Sequence, residues 1–152
     1  MIEILALVIS AILMVIALVH LYWAMGGYWP AKDEDGLART VVGNSAGPKD
    51  QPYTMPARWL TLLIAILIFI AAFFPLMWAG FFVPYPLHPV IVMLGMWALA
   101  SIFILRGVAG MLPFFDQFSP AEPFRSLNRK YYSPLCLLIG ALFVALIYIA
   151  TN

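Results

Sequence analysis

The chain has 152 residues, of which 64% are hydrophobic and 10% are charged, whereas soluble domains average roughly 45–50% and about 25%. So few charges cannot cover the surface of a soluble globule, and disordered chains have the opposite composition. The mean hydropathy of +0.98 therefore indicates a membrane protein, and the formal charge of +1 lacks the strong basic excess typical of nucleic-acid binding.

The first apolar segment, residues 4–25, predicts a transmembrane helix that is retained in the mature protein. A cleaved signal peptide begins with basic residues, but Lys and Arg are absent before this segment. The segment is also longer than the apolar core of a signal peptide, which spans roughly 7–15 residues.

Three further apolar segments, residues 57–79, 89–106 and 134–150, are each long enough to cross a hydrocarbon core, since a span needs roughly 17–25 residues. Within the second segment, Pro75 is expected to kink the helix or to end it near Phe74, because proline lacks the N–H that continues a helix.

Helix boundaries are predicted from small residues beside these segments. Gly80 and Gly107 follow the second and third segments, where glycine commonly ends a helix. Ser133 precedes the fourth segment and is predicted to cap its first turn.

The loop before the fourth segment contains Ser119-Pro120-Ala121-Glu122, a pattern typical of a capping box. It predicts a short helix at the membrane interface near residues 120–128. We therefore predict an all-α membrane protein, with residues 1–152 forming one domain. Its expected architecture is an antiparallel four-helix transmembrane bundle with a short interfacial helix between helices 3 and 4.

The basic residues predict the orientation of this bundle. All eight lie in or beside the first and third loops: Lys32, Arg39, Lys49, Arg58, Arg106, Arg125, Arg129 and Lys130. By the positive-inside rule these loops face the cytoplasm. Four crossings then place both termini outside.

Metal and haem sites have few candidate ligands in this chain. One cysteine, Cys136, excludes an intramolecular disulfide and a multi-cysteine metal site, and we predict no metal site. The two histidines, His20 and His88, are expected about 24 Å apart in depth at ~1.5 Å per residue. One iron cannot bind both within one chain, so a haem would need another axial ligand or a second chain. We expect His88 to cap the third helix.

The predicted ligand-binding residues converge at the cytoplasmic end of the bundle: His20, Trp23, Arg106, Tyr131, Tyr132 and Cys136. A histidine and an arginine suit a polar or anionic head group, and the aromatic residues suit the walls of a pocket. Cys136 follows Arg129 and Lys130 near a helix start, which favours a thiolate nucleophile, although a free cysteine is more often a small buried hydrophobe. The predicted spans lack Asp and Glu, which disfavours a proton relay of buried carboxylates.

Three sequence blocks carry a family resemblance. They are H-x-Y-W-A-x-G-G from His20 to Gly27, R-G-x-A-G from Arg106 to Gly110, and Y-Y-S-P-L-C from Tyr131 to Cys136. Together they resemble a domain-of-unknown-function family of small bacterial four-helix membrane proteins. The resemblance implies an integral protein of the bacterial inner membrane and implies no activity.

Three functional hypotheses remain open at this point. The first is a binding or catalytic pocket for an amphipathic ligand at the cytoplasmic interface. The second is a non-enzymatic assembly or helper protein, in which the three blocks serve helix packing, and the third is a haem or quinone redox protein. The expected partners are the lipid bilayer and a lipid-like small molecule, without nucleic acid. The cofactor and the oligomeric state stay undetermined.

Overall fold

The computed structural model describes residues 1–43, 52–83, 87–117, 119 and 121–151, and the regular structure in these ranges is entirely helical. Four helical stretches are long and apolar enough to cross a membrane: Ile2–Ala24, Arg58–Trp78, Pro89–Met111 and Phe124–Thr151. The predicted all-α fold with four transmembrane helices is thereby confirmed.

Helix α1 (Ile2–Ala24) is apolar on all sides and ends where Gly26 adopts a φ of +92°, a conformation that favours glycine. Helix α2 (Glu34–Val41) is short and amphipathic. The Asp33 side chain caps it by accepting the Gly36 N–H, and α2 buries Leu37 on its inner face.

The second stretch consists of α3 (Arg58–Ala71) and α4 (Phe73–Trp78), which are separated by a break at Ala72. This confirms the predicted effect of Pro75, because proline cannot donate a backbone N–H to the residue four positions earlier. Near the break, the Ser10 hydroxyl of α1 donates to the Ala72 carbonyl at 2.6 Å. Gly80, with a φ of +82°, ends α4 as predicted.

Helix α5 (Pro89–Met111) continues past the predicted end, so the assignment of Gly107 as a helix terminator is wrong. Gly107 lies inside the helix and against α7, where an added Cβ would meet the Ser133 carbonyl and the Leu137 side chain. Its missing side chain serves close helix packing. At the other end of α5, His88 caps the helix as expected by accepting the Val90 N–H.

After a short 3₁₀ turn (Pro113–Gln117), α6 (Phe124–Leu127) leads through a π-helical segment (Asn128–Tyr132) into α7 (Ser133–Thr151). The helical turn near residues 120–128 therefore joins the last transmembrane stretch. Proline at 134 clashes with the turn before it in a regular α-helix, and a π-bulge is one way to relieve such a clash.

Two of the predicted capping residues have other roles. Ser133 is fully buried inside the helical stretch, so its prediction as a helix cap is wrong. The Ser119 hydroxyl donates to the Val42 carbonyl, and Glu122 accepts from Ser126. Pro120 of the predicted capping box and Lys49 of the first loop lie outside the described residues.

The transmembrane helices pack mainly as two pairs, α1 with α3 and α5 with α7. The pairs meet at one end, here called the core end, where α4 contacts both α1 and α5. Buried residues concentrate there, in the first part of α1 and the second part of α7: Ala6, Ile9, Leu13, Phe143, Leu146 and Ile147. Toward the other end the two pairs diverge around a cavity, and we call this the cavity end.

Candidate functional site

A cavity of about 560 Å³ lies between the two helix pairs at the cavity end. Its volume falls in the range of roughly 300–1,000 Å³ that is typical of small-molecule sites. The walls come from α1, α3, α5 and α7 together with Trp29, Pro30, Val41, Phe124 and Tyr132. The last turns of α1 and α5 therefore lie beside the first turns of α3 and α7.

The His20 ring is oriented by its own helix. Its Nδ1 lies 2.8 Å from the Ile16 carbonyl oxygen, and a carbonyl only accepts hydrogen bonds, so Nδ1 carries the proton. In the neutral ring Nε2 is then the hydrogen-bond acceptor. A hydrogen bond from Nδ1 to a backbone carbonyl fixes the tautomer and the ring orientation of a histidine.

Trp23 lies one helical turn beyond His20 and supports it. The two rings pack with centroids 5.1 Å apart. The Trp23 Nε1–H donates to the Trp29 carbonyl at 2.7 Å, which holds the segment after α1 against the cavity.

Arg106 brings a positive charge to the cavity from the last turns of α5. Its Nη2 donates to Asn128 Oδ1 at 3.0 Å, and its guanidinium carbon lies 4.9 Å above the Phe115 ring. Its Nη1 is buried without a hydrogen-bond partner. Among the described residues, no carboxylate pairs with Arg106. A buried charged donor that lacks a partner costs free energy. This atom lies next to Gly110, where an added Cβ would meet it, so Arg106 acts on the cavity through its positive charge.

Asn128 holds Arg106 in place and is 1% exposed. Its amide donates to the Gly110 carbonyl at 2.7 Å, and its carbonyl accepts the Ser133 hydroxyl at 3.2 Å. An added Cβ at Gly110 would meet Ser133, Arg106 and Asn128. The sequence blocks R-G-x-A-G and Y-Y-S-P-L-C therefore meet physically, and Gly110 leaves the room in which they do so.

The loop side of the cavity is lined by a cover segment, residues 29–43, that includes α2. Three hydrogen bonds tie it to the part of the chain between α5 and α7. The Tyr132 hydroxyl donates to the Thr40 carbonyl at 3.1 Å, the Ser119 hydroxyl donates to Val42, and the Ala121 N–H donates to Gly43. A smaller cavity of about 270 Å³ shares His20, Trp23 and Arg106 with the first.

Five of the six predicted ligand-binding residues line the same cavity: His20, Trp23, Arg106, Tyr132 and Cys136. Tyr131 does not. Its side chain is 53% exposed on the outer side, beneath the Lys130 ammonium group. Asn128 is the residue that our list of candidates missed. In the sequence, an uncharged amide next to basic residues does not indicate a binding site. The inward orientation of Asn128 depends on the π-helical segment, which the sequence did not predict.

Only one of the two histidines, His20, lines the cavity. His88 lies at the start of α5, about 27 Å from Arg106 along that helix at 1.5 Å per residue, so the histidines lie at opposite ends. Within the described ranges, no three His, Cys, Asp or Glu side chains are grouped closely enough to hold a metal ion.

Comparison with known proteins gives a family and no activity. The model of a family described as protein of unknown function (DUF3995) matches residues 13–143, so the chain belongs to that family. No curated protein and no solved structure matches. The expected resemblance to an uncharacterised family is thereby confirmed.

Proposed function

We propose that this member of the DUF3995 family binds an amphipathic molecule, with a polar or anionic head, at the cytoplasmic face of a bacterial inner membrane. The observation that carries the proposal is a largely apolar cavity with one positively charged lining residue, Arg106, which pairs with no carboxylate among the described residues. An amphipathic ligand supplies both a polar or anionic head for Arg106 and the apolar surface.

Each wall has a role in this proposal. Arg106 binds the head through its positive charge, and His20 offers Nε2 as a second polar contact. The tail packs against aliphatic and aromatic side chains of three helices, among them Ile68, Phe103 and Ile139. Burial of that surface stabilises binding by about 25 cal/mol per Å² of apolar area removed from water.

The orientation rests on the basic loops, which the positive-inside rule places in the cytoplasm. Alkaline phosphatase or green fluorescent protein fused to the C-terminus tests it. Active phosphatase and dark fluorescent protein are expected. The reverse pattern contradicts the proposed orientation and leaves the cavity itself unaffected.

The binding proposal is tested by purifying the protein in mild detergent and identifying retained small molecules by mass spectrometry. The Arg106→Gln variant should retain at least tenfold less of the molecule, because the amide lacks the charge. Lys130→Gln is the matched control, since Lys130 is exposed and lies outside the cavity. Equal retention by the wild type and both variants would refute the proposal.

The buried polar network supports a second candidate, a non-enzymatic assembly or helper protein. Asn128, Ser133, Gly107 and Gly110 lie where helices meet, whether or not a ligand is bound. This alternative predicts that Arg106→Gln lowers the melting temperature of protein that carries no small molecule. The binding proposal predicts that most of the loss appears only in ligand-loaded protein.

A further inference from the structure

We infer that the ligand is a single-chain lipid carboxylate, which enters the cavity sideways from the bilayer between the two helix pairs. This inference rests on the proposed function and makes the ligand class and its route specific. Three features of the cavity carry it: its charge, its shape and its open side.

The charge of the cavity favours a head with one negative charge. Among the described residues that line it, Arg106 is the one permanent cation. A phosphate monoester carries nearly two charges near neutral pH, and one guanidinium would leave part of that charge uncompensated in a site of low dielectric constant. A carboxylate carries one charge, which one guanidinium compensates.

The position of Arg106 also fits a single negative charge. Asn128 holds its Nη2, and the Phe115 ring lies 4.9 Å from its guanidinium carbon. The guanidinium is therefore fixed beside the cavity, and one carboxylate balances its charge.

The shape of the cavity favours one hydrocarbon chain. Below Arg106, its walls are the apolar side chains Ile68, Phe103 and Ile139, which extend it toward the core end. There the helix pairs meet around a closely packed group of buried residues. A volume of about 560 Å³ suits a ligand of drug size, whereas a two-chain phospholipid is much larger.

The open side of the cavity faces lipid. The cover segment lies on the loop side and is held there by hydrogen bonds from Tyr132, Ser119 and Ala121. Between the helix pairs, by contrast, Ile64 and Leu135 line the cavity while they remain 37% and 39% exposed. Helices α3 and α5 barely touch within the described ranges. A molecule dissolved in the bilayer therefore reaches the cavity without displacing the cover segment.

Electron paramagnetic resonance on the full chain in phosphatidylcholine vesicles tests the ligand class. Spin-labelled stearic acid should show an immobilised component that oleic acid displaces. Oleyl alcohol, water-soluble hexanoate and lysophosphatidic acid should each displace it at least tenfold less well. Arg106→Gln should remove the component, and the exposed Lys130→Gln control should keep it.

The possible results separate this inference from the proposed function. Displacement by lysophosphatidic acid as good as by oleic acid overturns the carboxylate assignment and leaves amphiphile binding intact. Equal displacement by oleyl alcohol overturns it as well. If no amphiphile is immobilised by the wild type, both the inference and the proposed function fail.

The route is tested by the rate of uptake from vesicles. Ile64→Trp and Leu135→Trp narrow the side opening, and at least one should slow uptake several-fold. Leu60→Trp is the matched control, because Leu60 is equally exposed on α3 and lies outside the cavity lining. Ser119→Ala removes the hydrogen bond to the Val42 carbonyl and so loosens the cover segment at a residue outside the lining of this cavity; it should leave the rate unchanged. Faster uptake by Ser119→Ala, with no effect of either rim variant, would overturn lateral entry.

Discussion

At the residue scale, Gly110 makes room for the three polar side chains that meet beside it. Gly110→Ala places a methyl group against Ser133, Arg106 and Asn128, so their buried hydrogen bonds must lengthen or break. Each broken bond leaves a buried polar group unpaired, at a cost of about 1–3 kcal/mol. We expect a lower melting temperature and weaker retention of the ligand.

The control for this substitution lies on the same helix. Val108→Ala removes methyl groups from an exposed position of α5 and should change the melting temperature little. A Gly110→Ala protein as stable as Val108→Ala would show that the close approach at Gly110 is not needed.

Asp35 on the cover segment gives a prediction that depends on pH. Its hydrogen bond with Arg39, and then its bond from the Tyr53 N–H, hold the pKa of Asp35 below its ordinary value of 3.8. A lowered pKa means that this carboxylate stabilises the fold above the ordinary pKa, and that the contribution is lost as the pH falls through the lowered pKa. A carbon-13 titration should therefore place the Asp35 midpoint below 3.8. Arg39→Ala should raise it, whereas Arg125→Ala should leave it unchanged.

At the scale of helices, the break between α3 and α4 is stabilised from outside by Ser10. Ser10 is buried, and its hydroxyl donates to the Ala72 carbonyl. Ser10→Ala removes a hydrogen bond between helices in a membrane protein, which contributes on average about 0.6 kcal/mol and up to about 1.7. Because this bond is short and buried, we expect a loss of about 1 kcal/mol in a reversible unfolding assay.

The matched control for Ser10 is Ser101→Ala, which makes the same chemical change at an exposed position of α5. It should leave the stability nearly unchanged. If both variants unfold alike, the Ala72 carbonyl does not depend on Ser10.

Long apolar segments and prolines were enough to predict four spans and a break in the second span next to Pro75. Helix ends were harder to predict. A glycine after an apolar segment is typical of a helix end, but Gly107 lies inside α5 and allows close packing against α7. Likewise, Ser133 resembles a cap in the sequence, whereas the π-helical segment before it keeps the helix continuous. The convergence of His20 and Arg106 followed from counting positions along alternate helices. The hydrogen bond from Arg106 to Asn128 depends on tertiary packing, so no local sequence pattern predicts it.

At the scale of the whole molecule, the cavity makes stability depend on what occupies it. A ligand at 100 times its dissociation constant stabilises the folded state by about 2.7 kcal/mol. Exchange into detergent that strips bound lipid should therefore lower the melting temperature of the wild type, and added oleic acid should restore it. Arg106→Gln should respond weakly to both treatments. If the melting temperatures of the wild type and Arg106→Gln change equally, the change is caused by the detergent and not by loss of a bound ligand.

The pairing of α1 with α3 and of α5 with α7 also bears on how the protein is made. Most helix contacts join transmembrane stretches that are neighbours along the chain, and such local contacts form quickly. The first pair can therefore assemble in the membrane while the ribosome is still synthesising the second. The cavity end, which needs both pairs and the cover segment between them, is then completed last, after the final helix has left the ribosome.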